Sequence, residues 1–223
     1  MTVSPSSSPR YRGLTARDLA LIALFAALLA AMSLVPGIPV GSVPITLQTL
    51  IVMLAPAILG AKRGVLAIAT FLALALAGLP ILSGGGGGLA SFAGPSGGFL
   101  ISWIFVALVI GLLTDRMLPA YRFWPGLLIN LVGGIGVCYL IGGPWMAVVA
   151  GLDATAALIA LAAFVPGDVI KAVVATLIAA SVHRATRFLP PGTGSPLQDR
   201  AHDPDRACDP RLRRPRRRRR RLP

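Results

Sequence analysis

Apolar blocks and short polar connections alternate along most of the 223-residue chain. An α-helix needs roughly 20 largely apolar residues to cross the hydrocarbon core of a bilayer, and six blocks come close to that length. They lie at residues 19–35, 45–60, 65–80, 98–114, 125–142 and 167–183. The pattern predicts an all-α integral membrane protein whose domain, residues 16–188, contains six transmembrane helices.

Positive charges predict how these helices are oriented. Arg10, Arg12 and Arg17 precede the first block, and Arg184 and Arg187 follow the last. Because cytosolic segments of membrane proteins are enriched in Lys and Arg, we expect both termini to be cytosolic, which requires an even number of crossings. The basic residues between blocks then fall in two inner turns: Lys62, Arg63, Arg116 and Arg122.

A seventh apolar stretch, residues 147–164, would make the number of crossings odd. Gly151 and Asp153 interrupt it. We therefore expect it to be a membrane-embedded or capping part of the last outer loop, followed by a helix that has Pro166 in its first turn.

Two segments of different composition flank the predicted domain. The leader, residues 1–15, is rich in Ser and Pro, and the tail, residues 189–223, ends in a run of arginines. Both compositions predict disorder. A polybasic segment next to a membrane is attracted to anionic lipid. Such a run can also bind nucleic acid, but no nucleic-acid-binding module accompanies it, so we expect membrane lipids or no partner for the tail.

The chain lacks the groups that an intramembrane enzyme needs. Its predicted spans contain one histidine, His183 at a cytosolic end, with no pair of carboxylates on one helix and no Cys/His cluster. Cys138 and Cys208 are too separated to indicate a disulfide framework or a metal site. We expect no enzymatic activity, no metal and no cofactor. There is no Walker A sequence, so ATP, if transport uses it, is hydrolysed by a partner chain.

The connection between the third and fourth predicted helices contains the glycine-rich stretch SGGGGGLASFAGPSGGFL, residues 83–100. Non-helical backbone at membrane depth lies against protein or lines a cavity, and glycine allows a close approach. A lid over a binding site and a plain linker both fit a glycine run. Leu89, Phe92 and Pro95 favour a packed loop, because a spacer is rich in Gly and Ser without such anchors.

An aspartate and a lysine lie three residues apart in FVPGDVIK, residues 164–171. On a helix that starts near Pro166, Asp168 and Lys171 share a face and can pair, and the helix N-terminus favours the negative charge. Each charge at membrane depth costs about 3 kcal/mol on insertion scales, so such residues usually mark a binding site or a pathway. The alternative is an ion pair that only fixes the end of the helix.

Few other polar residues lie in the predicted spans. Gln48 in PITLQTL and Asn130 in LLINLVGG are candidate ligand contacts. A buried amide can equally form a hydrogen bond between helices, which contributes about 1 kcal/mol or less.

Five motifs in order, PITLQTL, GAKRG, GLPILSGGGGGL, AGPSGGFLI and FVPGDVIK, resemble the BioY family. Members of that family are the biotin-specific substrate-binding (S) components of energy-coupling factor (ECF) transporters. The resemblance extends from Thr15 to Arg187. It implies six helices around an outward-facing pocket covered by long outer loops, high-affinity biotin binding and uptake, and a location in the bacterial cytoplasmic membrane. A structural protein or a transporter of another small metabolite is the alternative.

By this resemblance, Asp168 and Lys171 hold biotin. We expect Asp168 to accept a hydrogen bond from a ureido N–H, and Lys171 to donate to the ureido oxygen or to the carboxylate. Phe92, Tyr139 and Trp145 are candidates for packing against the rings or closing the lid. The family often has an aromatic hydroxyl where this chain has Phe99.

The first predicted helix has small residues at four-residue spacing, Ala23, Ala27 and Ala31. Such faces allow close helix approach. In S components they resemble the docking face for the transmembrane coupling subunit, which contacts two ATPase subunits; packing within the chain is the alternative. Some BioY proteins act without a dedicated coupling module, so coupling and self-association are both left open.

Overall fold

Long apolar helices dominate the computed structural model, which describes residues 14–188. In that range, five helical stretches are long and apolar enough to cross a bilayer: Ala16–Leu34, Gln48–Leu76, Gly97–Met117, Phe123–Ala150 and Ala154–Ala185. Many leucines and isoleucines on them are exposed, which is typical of a surface that contacts a membrane. The structure agrees with the predicted multi-pass helical membrane protein. Most of the predicted leader, residues 1–13, and the predicted tail from residue 189 lie outside the described residues.

Seven α-helices and one β-hairpin follow each other along the described residues. They are α1 (Ala16–Ala31), β1 (Ile38–Val40), β2 (Val43–Ile45), α2 (Gln48–Leu76), α3 (Gly88–Ala93), α4 (Gly97–Met117), α5 (Phe123–Leu131), α6 (Cys138–Ala150) and α7 (Ala154–Phe188). A π-helical turn, Val132–Val137, joins α5 to α6 in one continuous helical stretch. β1 and β2 pair antiparallel. We call residues 35–47 the hairpin loop and residues 77–96 the glycine loop.

The helix α2 is broken at Gly60, where φ is 77°. Its two arms, residues 48–59 and 61–76, fold back on each other. A straight helix of 29 residues would be about 43 Å long. Yet Gln48, at the start of α2, donates a hydrogen bond of 3.1 Å to the carbonyl of Ile81, beyond its end. α2 is therefore a pair of helices joined by a very tight turn.

Side chains from two other helices cap this turn. The break at Gly60 separates the Ala57 carbonyl from the Ala61 N–H, which would bond to each other in a continuous helix. Asp115 Oδ2 accepts from the Ala61 N–H at 3.0 Å, and His183 Nε2 donates to the Ala57 carbonyl at 2.9 Å. An acid at a helix N-terminus and a base at a helix C-terminus both suit the helix dipole.

Two predicted helix boundaries shift as a result. The predicted helix over residues 45–60 begins at Gln48, because the residues before it belong to β2 and a short connection. The predicted helix over residues 65–80 is the second arm, 61–76, because the chain already turns at Gly60, before the basic residues expected in the turn. Glycine accepts the left-handed backbone conformation at that point without strain.

The prediction for residues 147–164 is wrong. α6 continues into this stretch until Gly151 ends it in the left-handed conformation, with φ of 64°, which is a common way for a helix to stop. α7 begins directly afterwards, where Asp153 Oδ1 accepts the N–H of Ala156 at 2.7 Å. Pro166 lies in the interior of α7. Membrane helices tolerate an internal proline because neighbouring groups compensate for the lost hydrogen bond.

α2 and α4 form the centre of the bundle. In the most apolar segment of each helix, 67% of α2 and 56% of α4 is buried, compared with 22% of α1 and 28% of α7. Phe71, Ile110 and Met53 are among the largest fully buried side chains. This core leaves an open space at the end of the bundle where the hairpin loop and the glycine loop meet.

Candidate binding site

A cavity of about 220 Å³ lies between the two loops at this end of the bundle. The loops and the helices α2, α4, α6 and α7 all contribute to its walls. Its apolar lining includes Leu82, Phe99, Leu100, Trp103 and Phe164, and its polar lining includes Gln48, Thr49, Tyr139, Asp168 and Lys171. Apolar walls with a few convergent polar groups are the usual form of a small-molecule site.

Asp168 and Lys171 form an ion pair at one wall of the cavity. Lys171 Nζ lies 2.9 Å from Asp168 Oδ1, and the two side chains are only 8% and 7% exposed. Both residues are in the interior of α7, so the expected stabilisation of Asp168 by a helix N-terminus is wrong. The residues share a face of α7 because they are three positions apart.

Two further side chains hold the pair in place. The Tyr139 hydroxyl on α6 donates to Asp168 Oδ2 at 2.6 Å, and Lys171 Nζ donates to Thr49 Oγ1 on α2 at 2.9 Å. A carboxylate has about four lone-pair sites and an ammonium has three hydrogens. Asp168 can therefore accept one more hydrogen bond from a ligand in the cavity. Lys171 can donate one more hydrogen bond to that ligand.

Gln48 is held at the first turn of α2 by its amide group. Its Nε2 donates to the Leu29 carbonyl at 3.3 Å and to the Ile81 carbonyl at 3.1 Å. These two bonds use both amide hydrogens, and they identify Nε2 as the atom that faces the carbonyls. Since Gln48 lines the cavity, its Oε1 is the atom left to accept a hydrogen bond from a ligand.

Asn130 is a predicted contact that lies outside the cavity. It is fully buried between α5 and α7, outside the cavity lining. Its Nδ2 donates to Thr176 Oγ1 at 2.9 Å. This is a hydrogen bond between helices, because Asn130 is on the side of α5 that packs against α7.

Phe92 and Trp145 also lie outside the cavity lining. Phe92 is in α3, where it packs against the hydrophobic core. Trp145 is on α6, and its Nε1 donates to the carbonyl of Gly94 in the glycine loop at 3.0 Å. Of the two predicted uses for these aromatic residues, packing against ligand rings or closing the lid, the position of Trp145 fits only the second.

The BioY family model matches residues 4–188. The chain belongs to the BioY family. It is 47% identical to the biotin transporter BioY of Rhizobium etli over 187 residues, or 79% of this chain and 98% of the relative. Identity to the biotin transporter BioY of Rhodobacter capsulatus is 45%, covering 74% and 93% of the two chains.

A solved structure supports the same family. The crystal structure of the S-component for biotin from an ECF-type ABC transporter superposes with a TM-score of 0.72 at 37% identity, covering 78% of this chain and 92% of that one. The predicted family is confirmed. The BioY relatives are transporters, and this confirms the expectation that the chain is not an enzyme.

The cavity of this BioY protein also contains residues that are not among the predicted contacts. Phe99 and Phe164 face each other with ring centroids 6.3 Å apart, and Trp103 adds a third aromatic wall. Phe164 precedes Asp168 by four residues, which places both on one helix face. That relation is visible in the sequence only if α7 is known to continue through Pro166.

The glycine loop is packed against the cavity. Six of its residues contribute to the lining, namely Leu82, Ser83, Gly86, Ser91, Gly94 and Ser96. The short helix α3 and an isolated bridge between Leu82 and Gly86 give it regular structure. This arrangement agrees with the expected packed loop and not with an extended spacer.

Proposed function

We propose that this chain binds biotin in the cavity between the hairpin loop and the glycine loop, as the substrate-specific component of a biotin uptake system. The observation that carries the proposal is the buried ion pair of Asp168 and Lys171, hydrogen-bonded to Tyr139 and Thr49 at the cavity wall, in a member of the BioY family. The match covers 98% of the Rhizobium etli relative, which supports carrying the proposal over from that relative.

The proposed topology is six crossings of the bacterial cytoplasmic membrane with both ends in the cytosol. The two arms of α2 count as two crossings, because they fold back on each other. Lys62 and Arg63 follow the turn at Gly60, and Arg116 and Arg122 flank the α4–α5 connection. The hairpin loop, the glycine loop and residues 151–153 contain no Lys or Arg. This asymmetry supports a cavity that opens outward.

The chemistry of the cavity matches that of biotin. Biotin has a ureido ring with two N–H donors and one carbonyl acceptor, a thioether ring, and a valerate carboxylate. Asp168 accepts from a ureido N–H with the lone pairs that Tyr139 and Lys171 leave free, and Lys171 donates its third hydrogen to the ureido oxygen or to the carboxylate. Gln48 Oε1 is a second acceptor. Phe99, Phe164 and Trp103 pack against the apolar rings.

The face of α1 that points away from the helix bundle is the proposed contact with a transmembrane coupling subunit. Ala23, Ala27 and Ala31 are exposed, whereas Ala26 is buried and Ala30 is half-buried. The stripe therefore faces away from the bundle, which favours docking over packing within the chain. Two ATPase subunits bound to that partner supply the energy if this chain does not act alone.

The test is saturable binding of radiolabelled biotin to the purified, detergent-solubilised chain, with thiamine and riboflavin as competitors. We expect displacement by biotin only. Asp168→Asn is the site variant and Asp153→Asn the matched control, since Asp153 is an exposed residue at the start of α7 and asparagine is an equally good helix cap. Absence of biotin binding by folded protein would return Asp168 and Lys171 to the role of a structural ion pair.

A further inference from the structure

The glycine loop is fastened at two points by side chains of other helices. Gln48 on α2 donates to the Ile81 carbonyl at 3.1 Å, near the start of the loop. Trp145 on α6 donates to the Gly94 carbonyl at 3.0 Å, near its end. The segment between these points forms one side of the cavity. The two bonds therefore determine whether that side is closed.

The donors of these two hydrogen bonds differ in exposure. Gln48 is 2% exposed and shares its amide with the Leu29 carbonyl, so breaking its bond to Ile81 would leave buried polar groups unpaired. Such a loss costs about 1–3 kcal/mol for each group. Trp145 is 37% exposed, so its bond to Gly94 is the less protected of the two. The loop can therefore open at the Gly94 end while its Ile81 end stays in place.

The first turn of α4 is shaped to receive the indole of Trp145. A Cβ atom at Gly98 would overlap Cβ and Cγ of Trp145, and one at Gly97 would lie 3.1 Å from its Nε1. With glycine at both positions, the ring lies directly against the helix backbone. Trp145 is thus held by its hydrogen bond to the glycine loop and by packing against α4. A side chain at Gly97 or Gly98 would disrupt that packing.

We propose that Trp145 is a positioning residue that latches the Gly94 end of the glycine loop over the cavity and so sets the residence time of the ligand. The inference rests on the proposed function for the identity of that ligand. Trp145 lies outside the cavity lining, so it slows escape without contacting the guest. Its effect is on the dissociation rate, and it is the same for every ligand that the cavity accepts.

Trp145→Phe tests the latch, because it keeps an aromatic ring but removes the N–H donor. The matched control is Trp124→Phe, the same change at an exposed residue of α5 outside the cavity lining. We expect Trp145→Phe to raise the dissociation rate of radiolabelled biotin about 2- to 10-fold, the range for one hydrogen bond. Gly98→Ala, which pushes the whole Trp145 side chain and the adjoining part of α6 away from α4 but leaves the indole N–H intact, should have the same effect. Trp124→Phe should have none.

A second measurement needs no ligand. Hydrogen–deuterium exchange of the backbone amides of residues 90–97 should be faster in Trp145→Phe than in the wild type and in Trp124→Phe. If the wild type failed to bind biotin, the proposed function would be wrong. The exchange comparison would still test whether Trp145 holds the Gly94 end of the glycine loop. Unchanged exchange in Trp145→Phe overturns the proposal.

Ligand selectivity provides the other contrary outcome. The dissociation of biotin and of an analogue without the sulfur should be accelerated by the same factor in Trp145→Phe. A change in their ratio would mean that the indole contacts the ring of the ligand, and it would overturn the latch in favour of a direct contact.

Discussion

Two ion pairs, at opposite ends of the bundle, have nearly the same length and very different surroundings. Lys171 Nζ lies 2.9 Å from Asp168 Oδ1 at the cavity end, and Arg63 Nε lies 2.7 Å from Asp18 Oδ1 near the turn at Gly60. The pair at the cavity is almost fully buried, whereas the Arg63 side chain is 45% exposed. Distance alone therefore does not distinguish a binding site from a surface contact.

What distinguishes the pairs is the set of elements that each connects. Asp168 and Lys171 are both on α7, and their further partners, Tyr139 on α6 and Thr49 on α2, border a cavity. Arg63 and Asp18 join α2 to α1. A buried pair that borders a cavity, at a cost of about 3 kcal/mol for each charge at membrane depth, points to binding, and a partly exposed pair that joins two helices away from the cavity points to structure.

The largest effect that we expect is from Asp168→Asn. Asparagine cannot accept from Tyr139 and Lys171 as a carboxylate does, and its N–H group would face the donors of a ligand. Loss of one partner of a buried, hydrogen-bonded charge pair costs about 2–5 kcal/mol in binding, so the affinity for biotin should fall at least about 30-fold. Equilibrium binding with radiolabelled biotin measures this.

The double variant Asp168→Asn/Lys171→Met separates binding from folding. If the pair serves binding, Asp168→Asn stays folded because cavity water solvates Lys171, and neither variant binds biotin. If the pair serves stability, Asp168→Asn loses folded protein, since an uncompensated buried charge costs about 3–5 kcal/mol, and the double variant regains it. The second pattern in size-exclusion profiles would refute a binding role for the pair and assign it to stability.

A smaller effect is expected from Tyr139→Phe. This change removes the 2.6 Å hydrogen bond to Asp168 Oδ2 and leaves the ring in place. Hydrogen bonds to charged groups contribute about 1.5–3 kcal/mol, so affinity for biotin should fall about 10-fold or more, yet less than in Asp168→Asn. Tyr121→Phe is the control, because Tyr121 is outside the cavity lining. Equal loss in both variants would show that the Tyr139 hydroxyl has no special role.

The fold is predictable from the sequence where the signal is local. The length of the apolar blocks and the positions of Lys and Arg predict a multi-pass helical protein. The path of residues 147–164 was not predictable, because Pro166 starts a helix in many proteins but is tolerated inside a membrane helix, and only packing decides between the two. The hairpin at residues 38–45 is too short, and its prolines too unusual in strands, to stand out.

The candidate site is predictable where a residue is costly to bury. Asp168 and Lys171 stand out because charges are rare at membrane depth. Asn130, Phe92 and Trp145 lie outside the cavity lining, which the sequence does not reveal, because the side of a helix that faces a cavity depends on how the helices pack. Phe99, like other aromatic residues in an apolar chain, carries no signal that separates a cavity wall from a core contact.

The smallest effect is expected from Arg63→Gln in the pair with Asp18. An ion pair with a partner this exposed contributes little, because water and salt screen it. The midpoint of thermal unfolding should shift by no more than about 2 °C, with unchanged biotin affinity, and raising the salt to about 1 M should remove the difference. Lys62→Gln is the matched control, since it removes the same charge from the same turn without touching the 2.7 Å contact. Loss of folded protein in Arg63→Gln alone would mean that this pair holds α1 against the bundle, and that exposure is a poor guide to the importance of a pair that joins two helices.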